Sequence, residues 1–99
     1  MVMAVFRSRL LDEGSAEFQV LADEMLEIAS SMPGFLSYQV YKSEDGARCS
    51  IIEFETREDL LAWRNHPHHQ AAQKAGRQRF YSAYSLHVAE PERESHFER

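Results

Sequence analysis

The sequence has little of several residue types, and each shortage excludes a class of protein. The single cysteine, Cys49, has no partner for an intramolecular disulfide, which is typical of proteins in the reducing cytoplasm. Only four glycines occur in 99 residues, and they form neither a G-x-G-x-x-G nor a phosphate-loop pattern, so we predict no nucleotide or flavin cofactor. No apolar run reaches the ~18 residues of a membrane span. The short apolar start, which ends at Arg7, indicates a strand rather than a signal peptide.

Positive charge is also scarce. The formal net charge is -5 and there is no run of Lys or Arg, which argues against nucleic acid or a membrane surface as a partner. The hydrophobic fraction of 43% is ordinary for a globular domain. A chain of this length buries only roughly 65% of its unfolded surface. One domain is therefore expected, and it gains stability from association.

Hydrophobic spacing predicts elements in the order β-α-β-β-α-α-β. The predicted strands span residues 2–10, 35–42, 49–55 and 80–89. The predicted helices run from Ser15 to about Ser31, from Thr56 to near Asn65, and from about Pro67 to Gly76, with Ser15 and Thr56 as N-caps. This order predicts an α+β fold, namely a ferredoxin-like four-stranded antiparallel sheet with helices on one face.

Alternation along the strands assigns side chains to the two sheet faces. It separates Phe35 from Tyr38 in the second strand and Tyr81 from Tyr84 in the last strand. Several strands are apolar on both faces, whereas helices cover only one. A second copy of the sheet is the economical cover for the other face, so we predict a homodimer.

The chain is expected to divide into a domain and a tail. Residues 1–90 contain all the predicted elements. Residues 91–99 are highly charged and begin with Pro91, which interrupts strand pairing. Phe97 is a poor residue for a free tail, so the tail is predicted to cross to the partner subunit with Phe97 as its anchor.

Three histidines stand in four positions beside the only tryptophan, Trp63. Pro67 favours the first turn of a helix, which places His66 at the cap. His68 and His69 are adjacent rather than four residues apart, so they lack the spacing of a helical zinc pair, and no metal site is predicted. On a helical wheel His68 falls in the middle of an alanine stripe, and His69 falls at its edge. The stripe consists of Ala71, Ala72 and Ala75.

The sequence resembles the antibiotic biosynthesis monooxygenase (ABM) superfamily over nearly its whole length. The resemblance rests on the element order, PGF at 33–35, the hairpin SEDG at 43–46, and the run FETREDLLAWRNHPHHQAAQKAGRQRFYSAY. It is greatest to poorly characterised members with a tryptophan, then H-P-x-H, then a Gln-rich helix ending in Gly and an aromatic pair. Those residues are here Trp63, His66, Pro67, His69, Gln73, Gly76, Phe80 and Tyr81. The resemblance implies a dimeric α+β barrel with a pocket between the sheet and the helices of each subunit.

The resemblance also implies candidate chemistry. The superfamily includes cofactor-free oxygenases of aromatic polyketides, which use a tryptophan and a nearby proton-transfer group. Trp63 matches the tryptophan of these oxygenases, and His69 lies near the position where their proton-transfer group would fall. Haem degradation is disfavoured, because Arg7 and Gln73 stand where that branch has Asn and His. The predicted catalytic residues are thus His69 and Trp63, and the predicted substrate-binding residues are Trp63, His68, Tyr84 and Tyr38.

Two functions remain open at this point. One is a small monooxygenase that acts on an aromatic or phenolic molecule without a cofactor. The other is a non-catalytic dimer that binds an apolar small molecule or serves as an accessory protein. A pocket that holds a polar histidine and is open to solvent would favour the first. A filled or wholly apolar cavity would favour the second.

Overall fold

The elements follow one another in the predicted order in a computed structural model, which describes residues 1–12 and 15–99. Their bounds are β1 Val2–Leu10, α1 Ser15–Ser31, β2 Phe35–Lys42, β3 Arg48–Phe54, α2 Arg57–Arg64, α3 Pro67–Ala75 and β4 Tyr81–Ala89. A five-residue π-helical turn, Gly76–Phe80, joins α3 to β4. The cap predicted at Ser15 concerns a side chain outside the described part of the chain.

The four strands form one antiparallel sheet in the order β2-β3-β1-β4. This is the ferredoxin-like arrangement that the element order predicts, so the expected fold class is confirmed. The hairpin between β2 and β3 turns at Gly46, whose φ of 88° suits glycine. Gly34, with φ 78°, ends the first helix and accepts a hydrogen bond from the Glu55 N–H at 2.8 Å.

The core lies between the helices and one face of the sheet, called here the helix face. Val2 pairs with Phe54 across β1 and β3, and both side chains are fully buried on that face. Ala29 of α1 is also fully buried against this cluster. The remaining buried members are Ala4, Ile52, Leu60 and Trp63. Apolar burial at every second strand position therefore fixes which face receives the helices.

Two register shifts overturn the predicted assignment of aromatic side chains to faces. One lies between Phe35 and Ser37 in β2, and the other lies where β1 meets the start of β4. Each inserts an extra residue and reverses the alternation. Phe35 therefore shares the helix face with Tyr38, and Tyr81 shares it with Tyr84. The prediction that separated these pairs is wrong, because it assumed strict alternation.

The opposite face, called here the open face, is covered by no element of the described chain. Its central side chains, Met3, Val5 and Ile51, are only partly buried. After β4 the chain has no regular structure, and Phe97 is 79% exposed. Among the described residues, no helix has the length and apolar character needed to cross a membrane.

Candidate active site

The HPHH stretch is first of all a helix junction. Thr56 caps α2 by accepting a hydrogen bond from the Asp59 N–H at 3.1 Å, as predicted. His66 caps α3, and its Nδ1 accepts from the His68 backbone N–H at 3.1 Å. Pro67 follows in the first helical turn, where its missing N–H costs nothing. His66 thus has a structural task that satisfies one of the free donors at the helix start.

The three histidines lie in different environments. His69 is half-buried and its ring packs edge-on against Trp63, with ring centroids 4.3 Å apart. His68 is exposed, so the helical-wheel prediction that it points inward is wrong. The inward face of α3 instead comprises His69, Ala72 and Gln73, and the same i, i+3, i+4, i+7 spacing continues to the buried Gly76 at the start of the π-helical turn. A helical wheel identifies the inward face from hydrophobic side chains. Gly76 has none, so the wheel could not assign it to this face.

Trp63 is both a core residue and a wall of the site. It is 5% exposed, and its ring packs against Phe54 at 5.8 Å and Tyr38 at 6.1 Å between centroids. Its indole Nε1 is buried without a hydrogen-bond partner among the described residues, and so is Nδ1 of His69. An unpaired buried polar atom costs about 1–3 kcal/mol. Trp63 and His69, whose rings are in contact, therefore each contain one polar atom that is unsatisfied within the described chain.

These residues line a cavity of about 630 Å³ between the helix face of the sheet and the three helices. Its volume is in the range of small-molecule sites. Tyr38 and Tyr84 line it, as do Trp63 and His69, so the fold brings these four predicted residues together. His68, predicted to bind substrate, is not among the lining residues. The apolar part of the lining includes Phe6, Leu21, Met25, Ile52 and Ala72.

Burial sets the protonation of the site. It lowers the pKa of His69 to about 4, against a hydrogen bond with the Arg64 backbone that raises the pKa and with smaller contributions from Arg64 and His66 that lower it. His69 is therefore neutral at pH 7 and able to accept a proton. Burial also raises the pKa of Tyr81 to about 12 and raises the pKa of Tyr38, although the nearby Arg48 charge opposes both shifts. The two phenols remain protonated and can donate hydrogen bonds.

Sequence reasoning missed the polar residues of the sheet floor. Ser8 and Ser50 are buried, and both line the cavity together with the half-buried Arg48. A signal was present, because Ser8 and Ser50 stand at strand positions that alternate with apolar inward residues. A polar residue at an inward position is the informative exception to burial patterns. Within the described ranges, no three His, Cys, Asp or Glu side chains converge in a way that could hold a metal ion.

The two residues used to argue against haem degradation differ in their placement. Gln73 lines the cavity, so its comparison with the histidine of the haem-degrading branch concerns the site. Arg7 is exposed on the open face and does not line the cavity, while its neighbours Phe6 and Ser8 do. Arg7 is therefore not the residue to compare with the cavity asparagine of that branch, because a one-residue step along a strand changes the face.

The fold and the cavity define a class, and comparison with known proteins identifies it. The family model for antibiotic biosynthesis monooxygenase matches residues 1–75, and the chain belongs to this family. The uncharacterized protein YqjZ of Bacillus subtilis (strain 168) is 30% identical over 95 residues, which is 96% of this chain and 83% of that protein.

Solved structures share the fold. Rv0793 from Mycobacterium tuberculosis matches with a TM-score of 0.83 and 21% identity, over 96% of this chain and 98% of that one. SnoaB, a cofactor-independent oxygenase from Streptomyces nogalater, matches with a TM-score of 0.78 and 16% identity, over 94% of each chain. At such identities the likeness concerns the fold, and the chemistry has to be argued from the site.

Proposed function

We propose that this protein is a cofactor-independent monooxygenase that acts on an aromatic or phenolic small molecule. The observation that carries the proposal is the neutral, half-buried His69, which packs on Trp63 and lines a cavity of about 630 Å³. The family membership and the likeness to SnoaB, a cofactor-independent oxygenase, support it. A cavity with a polar histidine was the feature expected of an oxygenase rather than of a binding module.

The proposed reaction needs a base, which is His69, and an aromatic side chain against which the substrate ring packs, which is Trp63. The substrate ring lies against Trp63, and His69 takes a proton from an acidic CH₂ group between aromatic rings. The resulting carbanion gives its electrons to O₂ and forms a C–O bond, which leaves a peroxide anion that takes the proton back from His69. Loss of water from this hydroperoxide gives a ketone. One oxygen atom enters the product and the other leaves as water, so no external reductant is required.

The low pKa of His69 restricts the substrates that it can serve. A histidine that is neutral at pH 7 is available as a base, but a pKa of about 4 makes it a weak one. The substrate must therefore be acidic, as the CH₂ of an anthrone or the hydroxyl of an electron-rich phenol is. Burial keeps the phenols of Tyr38 and Tyr81 protonated, so each can donate a hydrogen bond to a polar group of the substrate.

We further propose that the protein works as a homodimer in the cytoplasm. The partly buried apolar side chains of the open face support the dimer, because a second open face would remove them from water. The single cysteine, Cys49, supports a reducing compartment. The cavity lies on the helix side of the sheet and the open face on the other.

The test compares two neighbouring histidines. His69→Gln should lower the rate of anthrone oxidation in air on the order of 100-fold or more, because the general base is lost. Anthraquinone absorbance and oxygen consumption measure the rate. His68→Gln is the matched control, since His68 is exposed and should retain full activity. Trp63→Phe should mainly raise KM, because it removes part of the wall that holds the ring.

Three results would contradict the proposal. One is equal activity of the His69→Gln and wild-type proteins, and the second is loss of activity in His68→Gln alone. The third is an absence of oxidation with every electron-rich phenol and anthrone tried, while the same molecules bind in the cavity. That third result would establish the alternative, a non-catalytic binding protein. Circular dichroism of each variant verifies that it is folded.

A further inference from the structure

The cavity has a polar end that the oxidation chemistry does not use. Arg48 and Ile52 both face the cavity from β3 and are four residues apart, which is about 13 Å along a strand. Ile52 belongs to the cluster that contains Trp63, so it marks the reactive end. Arg48 marks the other end, where Ser8 and Ser50 form a buried polar floor.

Arg48 is held in place without a carboxylate partner among the residues that the structure describes. It is half-buried, and its guanidinium carbon lies 4.9 Å from the centroid of the Phe18 ring. The hydroxyls of Tyr38 and Tyr81 lie within range of its charge. Among the described residues, every ion pair involves other side chains, Arg9–Asp45, Arg57–Glu90 and Arg79–Glu17. A partly desolvated cation with no counterion is stabilised by any anion that enters the cavity.

The sign of charge around the cavity is opposite to that of the whole protein. The formal net charge is -5. Four cationic side chains nevertheless line the described cavity, namely Lys42, Arg48, Arg64 and Arg77, against one carboxylate, that of Asp23. Asp23 accepts a hydrogen bond from Gln19 at 2.9 Å and has no cation as partner in the described chain. A cleft lined mainly by one sign of charge concentrates ligands of the other sign.

We propose that the substrate is an aromatic carboxylate, whose acid group binds Arg48 while its ring system extends to Trp63 and His69. This inference rests on the proposed function, because it names the substrate class of the same site. The guanidinium fork matches a carboxylate in two parallel hydrogen bonds, which fixes orientation as well as affinity. A span of about 13 Å between the two ends suits two or three fused rings with the acid at one end.

The experiment measures binding without turnover. Isothermal titration calorimetry under nitrogen compares 6-hydroxy-2-naphthoate with its neutral carboxamide, which has the same shape. The wild-type protein should bind the carboxylate about 10- to 100-fold more tightly, as expected of a charged hydrogen bond. In Arg48→Gln this preference should fall to nearly one while the carboxamide affinity stays unchanged. Arg57→Gln is the matched control, since it removes an exposed arginine far from the cavity and should keep the preference.

Each outcome has a defined meaning. A preference that survives in Arg48→Gln, an equal affinity for the two probes in the wild type, or no binding of either probe overturns the proposal. Its failure is distinguishable from that of the proposed function, which is tested by oxidation in the His69→Gln protein. A carboxylate preference that depends on Arg48 supports this inference even if no oxidation is observed. Loss of oxidation in His69→Gln without that preference supports the enzyme and contradicts the anionic substrate.

Discussion

At the scale of single residues, three identical side chains, His66, His68 and His69, have different roles because their positions in the fold differ. His66 caps α3 through its Nδ1, which accepts a hydrogen bond from the His68 N–H. His68 is exposed to solvent, and His69 packs on Trp63 at the cavity. Burial of His69 lowers its pKa to about 4. Pro67 sets the start of α3, and the packing of α3 against the sheet then decides which of these side chains faces the cavity.

The lowered pKa of His69 predicts how stability depends on pH. The folded protein holds His69 neutral down to about pH 4, whereas the unfolded chain protonates it near 6.5. The unfolded state therefore binds more protons between these values, and stability falls as the pH is lowered through this window. The contribution is about 2 kcal/mol once partial solvent access is taken into account. Urea unfolding at pH 7 and pH 4.5 gives the loss of unfolding free energy on acidification, and this loss is compared between the wild type and its histidine variants.

The comparison uses the same two histidine variants as the activity test. His69→Gln should lose less stability on acidification than the wild type, while His68→Gln should behave like the wild type. Carboxylate titrations are common to all three proteins and cancel in the difference. Identical pH profiles for the wild type and His69→Gln would show that His69 titrates normally in the folded state.

At the scale of elements, one close packing contact connects α3 to β4. Gly76 begins the π-helical turn, and a Cβ placed on it would lie 2.4 Å from Cε2 of Tyr81. The Tyr81 ring lies on the helix face, where it also packs against Phe6 and Phe18 with ring centroids 5.4 and 5.7 Å apart. π-helical turns are uncommon and occur frequently next to functional sites. Here the turn positions a phenol in the cavity wall.

Gly76→Ala tests this contact. In an ordinary helical position the change stabilises by up to about 1 kcal/mol. Here the collision with the Tyr81 ring should outweigh that gain and destabilise the protein by roughly 1–2 kcal/mol, as overpacking does. In a Tyr81→Ala background the same change should become neutral or stabilising. Thermal unfolding of the four proteins gives the coupling, and additive effects would show that the ring does not constrain this position.

At the scale of the whole molecule, no element of the described chain packs on the open face of the sheet. The helices cover the helix face, and the open face presents Met3, Val5 and Ile51 at its centre. The segment after β4 carries Phe97 away from the domain with most of its ring exposed. Both features are costly for a monomer, and one partner subunit would cover both.

Sedimentation should show a species of twice the 11.5 kDa chain mass at micromolar concentration. Ile51→Asp should shift it to the monomer, because the buried charge would have no partner. Val20→Asp is the matched control, since Val20 is 60% exposed on α1, away from the open face, and should leave the dimer intact.

Removal of residues 91–99 should weaken the dimer and Phe97→Ser should reproduce much of that effect. A soluble wild-type monomer would refute the dimer, and an unchanged dissociation constant after truncation would refute the role of the tail.

Local signals in the sequence determined the order of the elements and their ends. Thr56, Pro67 and the turn at Gly46 act through backbone geometry within a few residues, so their effects could be predicted from neighbours alone. The position of His69 beside Trp63 was predicted from the family pattern, and the structure places the two rings in contact. The α3 start also belongs to this group, because Pro67 fixes it without help from the rest of the fold.

Only the tertiary structure decided which side chains share the cavity. The bulges that bring Phe35 and Tyr81 to the helix face depend on pairing with strands far away in the sequence. The inward direction of His69 rather than His68 depends on Gly76 lying against Tyr81, a contact that no hydrophobic pattern records. Arg48 faces the cavity because of the register of β3 against its neighbours. Short-range preferences thus set the elements, whereas long-range packing sets the site, because a cavity is formed by faces that meet only after the chain has folded.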